Sequence, residues 1–368
     1  MLDGFLSLPV MAVAAFFTVS YFVNPGTIII EKMSVPQNFD WDTGYTGYAA
    51  AGEFTRYVSD IAEAAGTNRG TRTKELTAQG RSVEALSDWF GLGEPIRSTQ
   101  VALGFLPYTF SGKLIKKGDD LTLKVFGESP AYWDFALSEK GSVDDVSGLL
   151  KRGAIRLMQK IDPYLVAVYH FREETAASGY PETKAAIDYC FVHAPRNELP
   201  WVYALLGDVF RREGKYEEAI VKFRQALTLD PSFPRPMMRW GNALANQGRH
   251  EEAIGRYQKT LEIDPIYPEA LVAWAESLDA MGQHEQAHLK YVEAVGMDPE
   301  FPRILFAYGK HLEQYGDKAG ATEYLRRAVH FDGGHNQAYV QELRRAQRNL
   351  DPALEVLVPL AEGMRPHK

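Results

Sequence analysis

Cysteine is almost missing from this sequence: Cys190 is the only one in 368 residues. An intrachain disulfide and a thiolate metal cluster are therefore both excluded, while a lone thiol is tolerated in reducing and oxidising compartments alike. Basic clusters are missing too. Lys and Arg number 40 against 48 Asp and Glu, a net charge of −8. A surface that follows a phosphate backbone needs cations gathered on one face, so the composition argues against nucleic acid as a partner. Hydrophobic residues still make up 45%, enough for folded cores rather than disorder. The length accommodates two or three units.

One long uncharged apolar run stands out. Phe5 to Val23 is 19 residues without a charge, closed by Asn24-Pro25-Gly26. At about 1.5 Å per residue it spans roughly 28 Å, close to the hydrocarbon thickness of a bilayer. Pro9 stands near its first turn, where a missing N–H costs least. The leader Met1-Leu2-Asp3-Gly4 carries no basic residue, and no small-x-small site follows. The run therefore reads as an uncleaved anchor rather than a cleaved signal or a buried core helix. No cysteine lies near its end, which excludes lipoprotein processing. Basic residues are scarce on both sides, and Glu31, Lys32, Asp40 and Asp42 follow. A short leader before a large domain predicts a single-pass membrane protein with its bulk extracytoplasmic (periplasmic).

Residues 27–161 alternate between strand and helix patterns. Thr27 to Ile30 is β-branched and reads as a short strand. Tyr45 to Ala65 places Phe54, Val58 and Ile61 at helical spacing, and Arg81 to Phe90 repeats the pattern. Tyr108 to Ile115 and Leu121 to Phe126 flank the polar turn Lys116-Lys117-Gly118-Asp119-Asp120, a hairpin signature. Val146 to Ile161 is helical again, with Leu149, Leu150, Ile155, Leu157 and Met158 on apolar faces. A small α/β (α+β) domain follows from this interleaving. Gly91-Leu92-Gly93 lacks the third glycine and preceding strand of a dinucleotide loop. Trp41, Trp89, Tyr108 and Trp133 read as packing residues rather than a ligand cage. The stretch MSVPQNFDWDTGYTG with the later FSGKLIKKGDDLTLKV hairpin loosely resembles α/β modules that precede repeat arrays in bacterial envelope proteins.

A 34-residue period governs what comes next. LLGDVF at 205–210, RWGNAL at 239–244, AWAESL at 273–278 and AYGKHL at 307–312 share one register. Small residues recur at Gly207, Gly241, Ala275 and Gly309, and at Ala219, Ala253, Ala287 and Ala321. Large apolar ones recur at Phe223, Tyr257, Tyr291 and Leu325, and a third small series is Ala226, Thr260, Ala294 and Ala328. Small side chains let two antiparallel helices approach, and the large one fills the gap beside them. Asp230-Pro231, Asp264-Pro265, Asp298-Pro299 and Asp332-Gly333 close each second helix. This pattern resembles the tetratricopeptide repeat (TPR), and the resemblance implies a right-handed solenoid of helix pairs. The expected class is mainly α: an N-terminal transmembrane helix, a small α/β domain, then a TPR solenoid. The expected boundaries are 1–26 for the anchor, 27–161 for the α/β domain, 162–350 for the array and 351–368 for the tail. Four regular repeats start at 200, after an irregular pair (Pro163 to Glu174, Glu182 to His193) with Cys190 as an inert core thiol. Gln337 to Leu350 reads as a polar capping helix with Arg344, Arg345 and Arg348 outward. The tail from Pro352 continues at helical spacing and covers the last repeat or meets a partner.

His284-Glu285-Gln286-Ala287-His288 fits the H-E-x-x-H pattern of helical zinc sites. The repeat explains it without metal, since Glu251-Glu252-Ala253 and Glu217-Glu218-Ala219 hold the same places and His284 corresponds to His250 and Tyr216. No catalytic residue, metal or cofactor is expected, and a small-molecule ligand is not favoured. The resemblance implies a protein partner, a peptide segment or helix, on the concave face of the first helices. The inward residues would be Trp201, Ala204, Asp208 and Arg211; Arg235, Met238, Asn242 and Asn246; Glu269, Val272, Glu276 and Asp279; and Arg303, Phe306, Lys310 and Glu313. Trp201, Met238 and Phe306 would be apolar anchors between charges of alternating sign. The TPR subclass that grips a terminal carboxylate has Lys and Asn where this chain has Ala204 and Asp208, which argues against that subclass. The expected function is a membrane-tethered interaction scaffold or assembly factor. The alternatives are a structural subunit of an envelope complex acting through the α/β domain, and a zinc metalloprotease acting through HEQAH.

Overall fold

The computed structural model describes residues 28–30, 33–37, 39, 45–66, 108–129 and 133–350. The expected anchor Phe5 to Val23, the helix expected over Arg81 to Phe90, Gly91-Leu92-Gly93 and the tail from Pro352 lie outside these residues. So do the side chains of Trp41, Trp89, Tyr108 and Trp133. Among the described residues no helix is long and apolar enough to cross a membrane. The chain divides into two compact units, Met1–Arg196 and Asn197–Lys368. The strand and helix pattern puts the change at 161/162, whereas the helix pair after Ile161 falls within the first unit.

The first unit holds a four-stranded sheet, β1 (Ile28–Ile30), β2 (Tyr108–Lys117), β3 (Asp120–Ser129) and β4 (Trp133–Ser142), in that spatial order. β1 runs parallel to β2, and the other pairs are antiparallel. The expected hairpin turn is tighter than its polar run indicates. Lys117 pairs with Asp120, leaving Gly118 and Asp119 at the tip, with Gly118 at φ 62°. β4 has no counterpart among the sequence expectations, because Ser138, Glu139 and Lys140 dilute its apolar alternation on an edge strand. Leu121, Leu123 and Val125 on β3 are buried and alternate with open Lys124 and Phe126, the period of a half-buried strand.

Helices α1 (Gly47–Gly66), α2 (Val146–Ile161), α3 (Pro163–Glu173) and α4 (Pro181–His193) complete this unit. Ala50, Phe54, Val58 and Ile61 form one buried stripe of α1, three and four residues apart as a core-facing helix requires. α2 packs on β3 and β4 as well as on α1. At Gly153 a Cβ would collide with Leu123 of β3, so the glycine permits that approach. Glu53 of α1 accepts hydrogen bonds from Tyr45 Oη (2.7 Å), Tyr57 Oη (3.0 Å) and Ser147 Oγ (2.7 Å), tying α1 to α2. Burial pushes the Glu53 carboxyl up, but the hydroxyls of Ser147, Tyr45 and Tyr57 outweigh it and hold it below the usual range. Its hydrogen bond to Tyr45 in turn raises that phenol to about 12. Cys190 on α4 is fully buried.

The second unit is nine α-helices among the described residues: α5 (Leu199–Arg212), α6 (Tyr216–Leu229), α7 (Pro234–Asn246), α8 (His250–Ile263), α9 (Pro268–Ala280), α10 (His284–Met297), α11 (Pro302–Gln314), α12 (Lys318–Phe331) and α13 (Gln337–Leu350). The first eight pair as antiparallel hairpins, each packed on the next. Ala219, Ala253, Ala287 and Ala321 are all 0% exposed. A Cβ at Gly207 would sit 2.5 Å from Phe223 Cε1, and one at Gly241 2.5 Å from Tyr257 Cε1. The small and large series thus meet at the closest helix approach, as their spacing predicts.

Two further series with the same period escaped the sequence reading. Gly214, Gly248, Gly282 and Gly316 make the turn inside each hairpin at φ 76–91°, a left-handed backbone that glycine adopts without strain. Pro200, Pro234, Pro268 and Pro302 stand in the first turn of each first helix, where the absent N–H is no loss. On the outer side, Arg256 lies 3.9 Å over the Trp240 ring and Lys290 4.4 Å over Trp274, again one repeat apart.

Candidate protein-binding surface

The first helices of neighbouring repeats, α5, α7, α9 and α11, come into closer mutual contact than the second helices do. A stack so arranged bends with its first helices on the inside. Their free faces form the concave side, the place the repeat resemblance implies for a partner.

The apolar positions assigned to that side are corrected by the structure. Met238 is 4% exposed within the core cluster of Ala219, Ile220, Phe223 and Tyr257. Ala204 and Val272, one repeat before and after it, are also 4% exposed. This row lies on the seam between repeats, where burial against the next helix pair outcompetes exposure. Trp201 is half-buried with its ring 4.2 Å from Phe233. Phe306 stacks at 4.4 Å on Tyr339 of α13. None of the three is an open anchor. Asn246 is exposed but falls one place beyond the register of Arg211, Asp279 and Glu313. Ala245 holds that place and packs partly on the core.

The concave face is instead polar and charged. Glu276, Arg303 and Lys310 are exposed, and Arg235, Asn242 and Glu269 are half-buried. Asn242 accepts a hydrogen bond from Tyr257 Oη at 3.0 Å, so the aromatic that fills the hairpin also fixes this amide. Desolvation by the surrounding protein pushes the Glu276 carboxyl above its usual range, against the pull of Arg303 and Lys310, while Asp279 adds to the rise. Asp208 is 5% exposed. Burial would raise its carboxyl, and Arg239, Arg211 and Arg235 outweigh that and hold it below the usual range.

α13 extends the same face. Arg345 is exposed as expected and also reaches Glu313 Oε2 at 2.7 Å, and Asn349 donates to Glu313 Oε1 at 3.0 Å. With Tyr339 over Phe306, the helix closes the fourth repeat much as a further first helix would.

The HEQAH histidines are held by separate neighbours. His284 Nδ1 lies 3.1 Å from Asp279 Oδ1, and its ring lies against Tyr315 at 4.1 Å. His288 faces Tyr308, while Glu285 and Gln286 are exposed. His311 of α11, buried, meets the other oxygen of Asp279 at 2.8 Å. Asp279 thus joins α10 and α11 to the end of α9. Among the described residues no group of three or more His, Cys, Asp or Glu is placed to hold a metal ion.

Two stretches of the second unit match family models. Residues 207–236 match a TPR repeat and residues 272–336 a tetratricopeptide repeat. No curated protein matches the chain. Among solved structures, a thermophilic TPR protein of Thermus thermophilus is 14% identical with a TM-score of 0.45, over 51% of this chain and 98% of that one. The pilF protein of Pseudomonas aeruginosa is 20% identical with a TM-score of 0.41, over 55% and 94%. The first TPR of Spaghetti, solved bound to an HSP90 peptide, is 18% identical with a TM-score of 0.30, over 32% and 97%. With the 34-residue register, the family matches establish that the second unit carries tetratricopeptide repeats.

Proposed function

We propose that this chain is a membrane-tethered scaffold or assembly factor that holds a segment or helix of a protein partner along the first helices of its repeats. Tetratricopeptide repeats mediate protein–protein interactions, and this array keeps a row of charged side chains on its inner side. The observation that carries the reading is the open group Glu276, Arg303 and Lys310 on α9 and α11, beside seams whose apolar side chains are already buried. Charges on such a face select a partner by complementary sign more than by buried area. Tethering is read from the uncharged run Phe5 to Val23, long enough to span a bilayer, with the repeats on the extracytoplasmic side.

The test is affinity capture from detergent-solubilised native membranes. Arg303→Glu combined with Lys310→Glu is expected to weaken capture of the partner by at least about tenfold, or ~1.4 kcal/mol, with an unchanged far-UV circular dichroism spectrum. Capture at wild-type strength by a folded double variant would remove the inner face as the binding surface. Carbonate extraction tests the tether: full-length protein is expected in the membrane pellet, and a chain lacking residues 1–26 in the supernatant.

A further inference from the structure

Two guanidinium groups lean on one carboxylate oxygen at the junction of the first two repeats. Arg211 Nε and Arg239 Nε lie 3.4 and 3.6 Å from Oδ1 of Asp208. The second distance is too long for a hydrogen bond, and Arg239 Nε is buried with no hydrogen-bond partner. Arg235 adds a third positive field at the same carboxylate. Glu269 and Asp264 act on Tyr267 together with Arg235 and Arg239. Two guanidiniums therefore share a single carboxylate oxygen, in a chain whose net charge is −8. The side chains of Arg211 and Arg239 keep 20% and 19% of their surface open, so an incoming group can reach them. Each guanidinium carries five donors in a planar fork that fits a carboxylate, and Asp208 engages few of them.

We propose that this junction is the receptor for an acidic side chain, an Asp or Glu within the partner segment, held by Arg211 and Arg239. The proposal rests on the protein-binding reading above and adds the charge of the partner at the first two repeats. Asp208 then acts as an internal stand-in, keeping the arginines in place while competing weakly with the incoming carboxylate.

The probe is a fluorescein-labelled hexaglutamate peptide, amidated at its C-terminus so that it has no terminal carboxylate. Binding to the full chain in detergent is followed by fluorescence anisotropy at low salt, with hexalysine and inorganic phosphate as comparators. Hexaglutamate is expected to bind, and neither hexalysine nor equimolar phosphate to displace it. Arg211→Gln and Arg239→Gln should each weaken it by about fivefold or more, Arg326→Gln on the second helix α12 should leave it unchanged, and Asp208→Asn should tighten it about tenfold by removing the competitor. Melting curves identify variants that remain folded, and if Asp208→Asn does not fold, the Arg239→Gln arm decides. Wild-type affinity in both arginine variants would overturn the proposal. So would weaker binding in a folded Asp208→Asn, or displacement by phosphate, which would mark a simple anion site. If hexaglutamate does not bind while Arg303→Glu with Lys310→Glu still abolishes capture, the acidic-segment proposal falls and the protein-binding reading stands.

Discussion

The glycines of the array divide into three kinds by what surrounds them. Gly241 has Tyr257 where its Cβ would go, at 2.5 Å. A ring wedged between two helices has no room to retreat, so Gly241→Leu is expected to destabilise the array by about 1–3 kcal/mol through overpacking. Gly255, within α8, has nothing within 4 Å of the same position and no left-handed backbone. There Gly255→Ala should stabilise by about 0.5–1 kcal/mol, the helix-propensity difference. Urea melts of the two variants check the pair, and shifts of the same sign would contradict the packing described. Gly248 is the third kind, in open space but at φ 76°. The first kind was legible in the sequence because its partner recurs at a fixed offset in every repeat. The turn glycines repeat just as strictly and could have been found by the same alignment. The fate of Met238 could not: a seam position and an inner-face position differ by a small rotation of the helix. Only the neighbouring repeat decides which of the two is covered.

At the scale of elements, α2, α3 and α12 are capped by their own Asp145, Asp162 and Asp317, whereas α4 is capped from outside. α4 starts at Pro181 after Tyr180, which has φ 55° and gives no side-chain cap. The cap comes from Glu174, whose carboxylate accepts from Glu182 N (3.0 Å), Thr183 N (2.9 Å) and Thr183 Oγ1 (2.6 Å). Burial works to raise this carboxyl, and the Thr183 hydroxyl and the amides of Thr183 and Glu182 hold it below the usual range. A depressed folded pKa contributes stability that is present above the unfolded carboxylate's range and lost as pH falls through it. Glu174→Ala is therefore expected to cost about 0.5–2 kcal/mol at neutral pH. The cost should fade as the solution is acidified below about pH 4. A deficit that persists undiminished at ~pH 3 would assign Glu174 a packing role instead. Sequence spacing placed α3 and α4 within a residue of where they lie, but a cap across a loop has no local signature. α13 shows the same limit, since its amphipathic pattern was plain while the turn of Arg345 onto Glu313 depends on the preceding repeat.

For the molecule as a whole, the 34-residue period has an energetic meaning. In a stack each repeat is stabilised by its own hairpin and by its two neighbours, so stability is nearly a sum of local terms. The residues 197–350 contain four complete hairpins and the closing helix α13, with core clusters that run from one repeat into the next. This stretch alone is expected to fold, with a far-UV spectrum dominated by helix and a cooperative melt. Deleting α13 should lower the melting temperature, because Phe306 would lose Tyr339 and Glu313 would lose Arg345 and Asn349. Binding separates the two functional readings that composition left open. If the inner face of the repeats holds the partner, the 197–350 fragment should capture it about as strongly as the full chain without its first 26 residues. A folded fragment that captures nothing, beside a first unit that captures the partner alone, would move the function to the sheet and helices of residues 28–196. Capture by the fragment that disappears with Arg303→Glu and Lys310→Glu would place it on α11, where both side chains stand open beside Glu276.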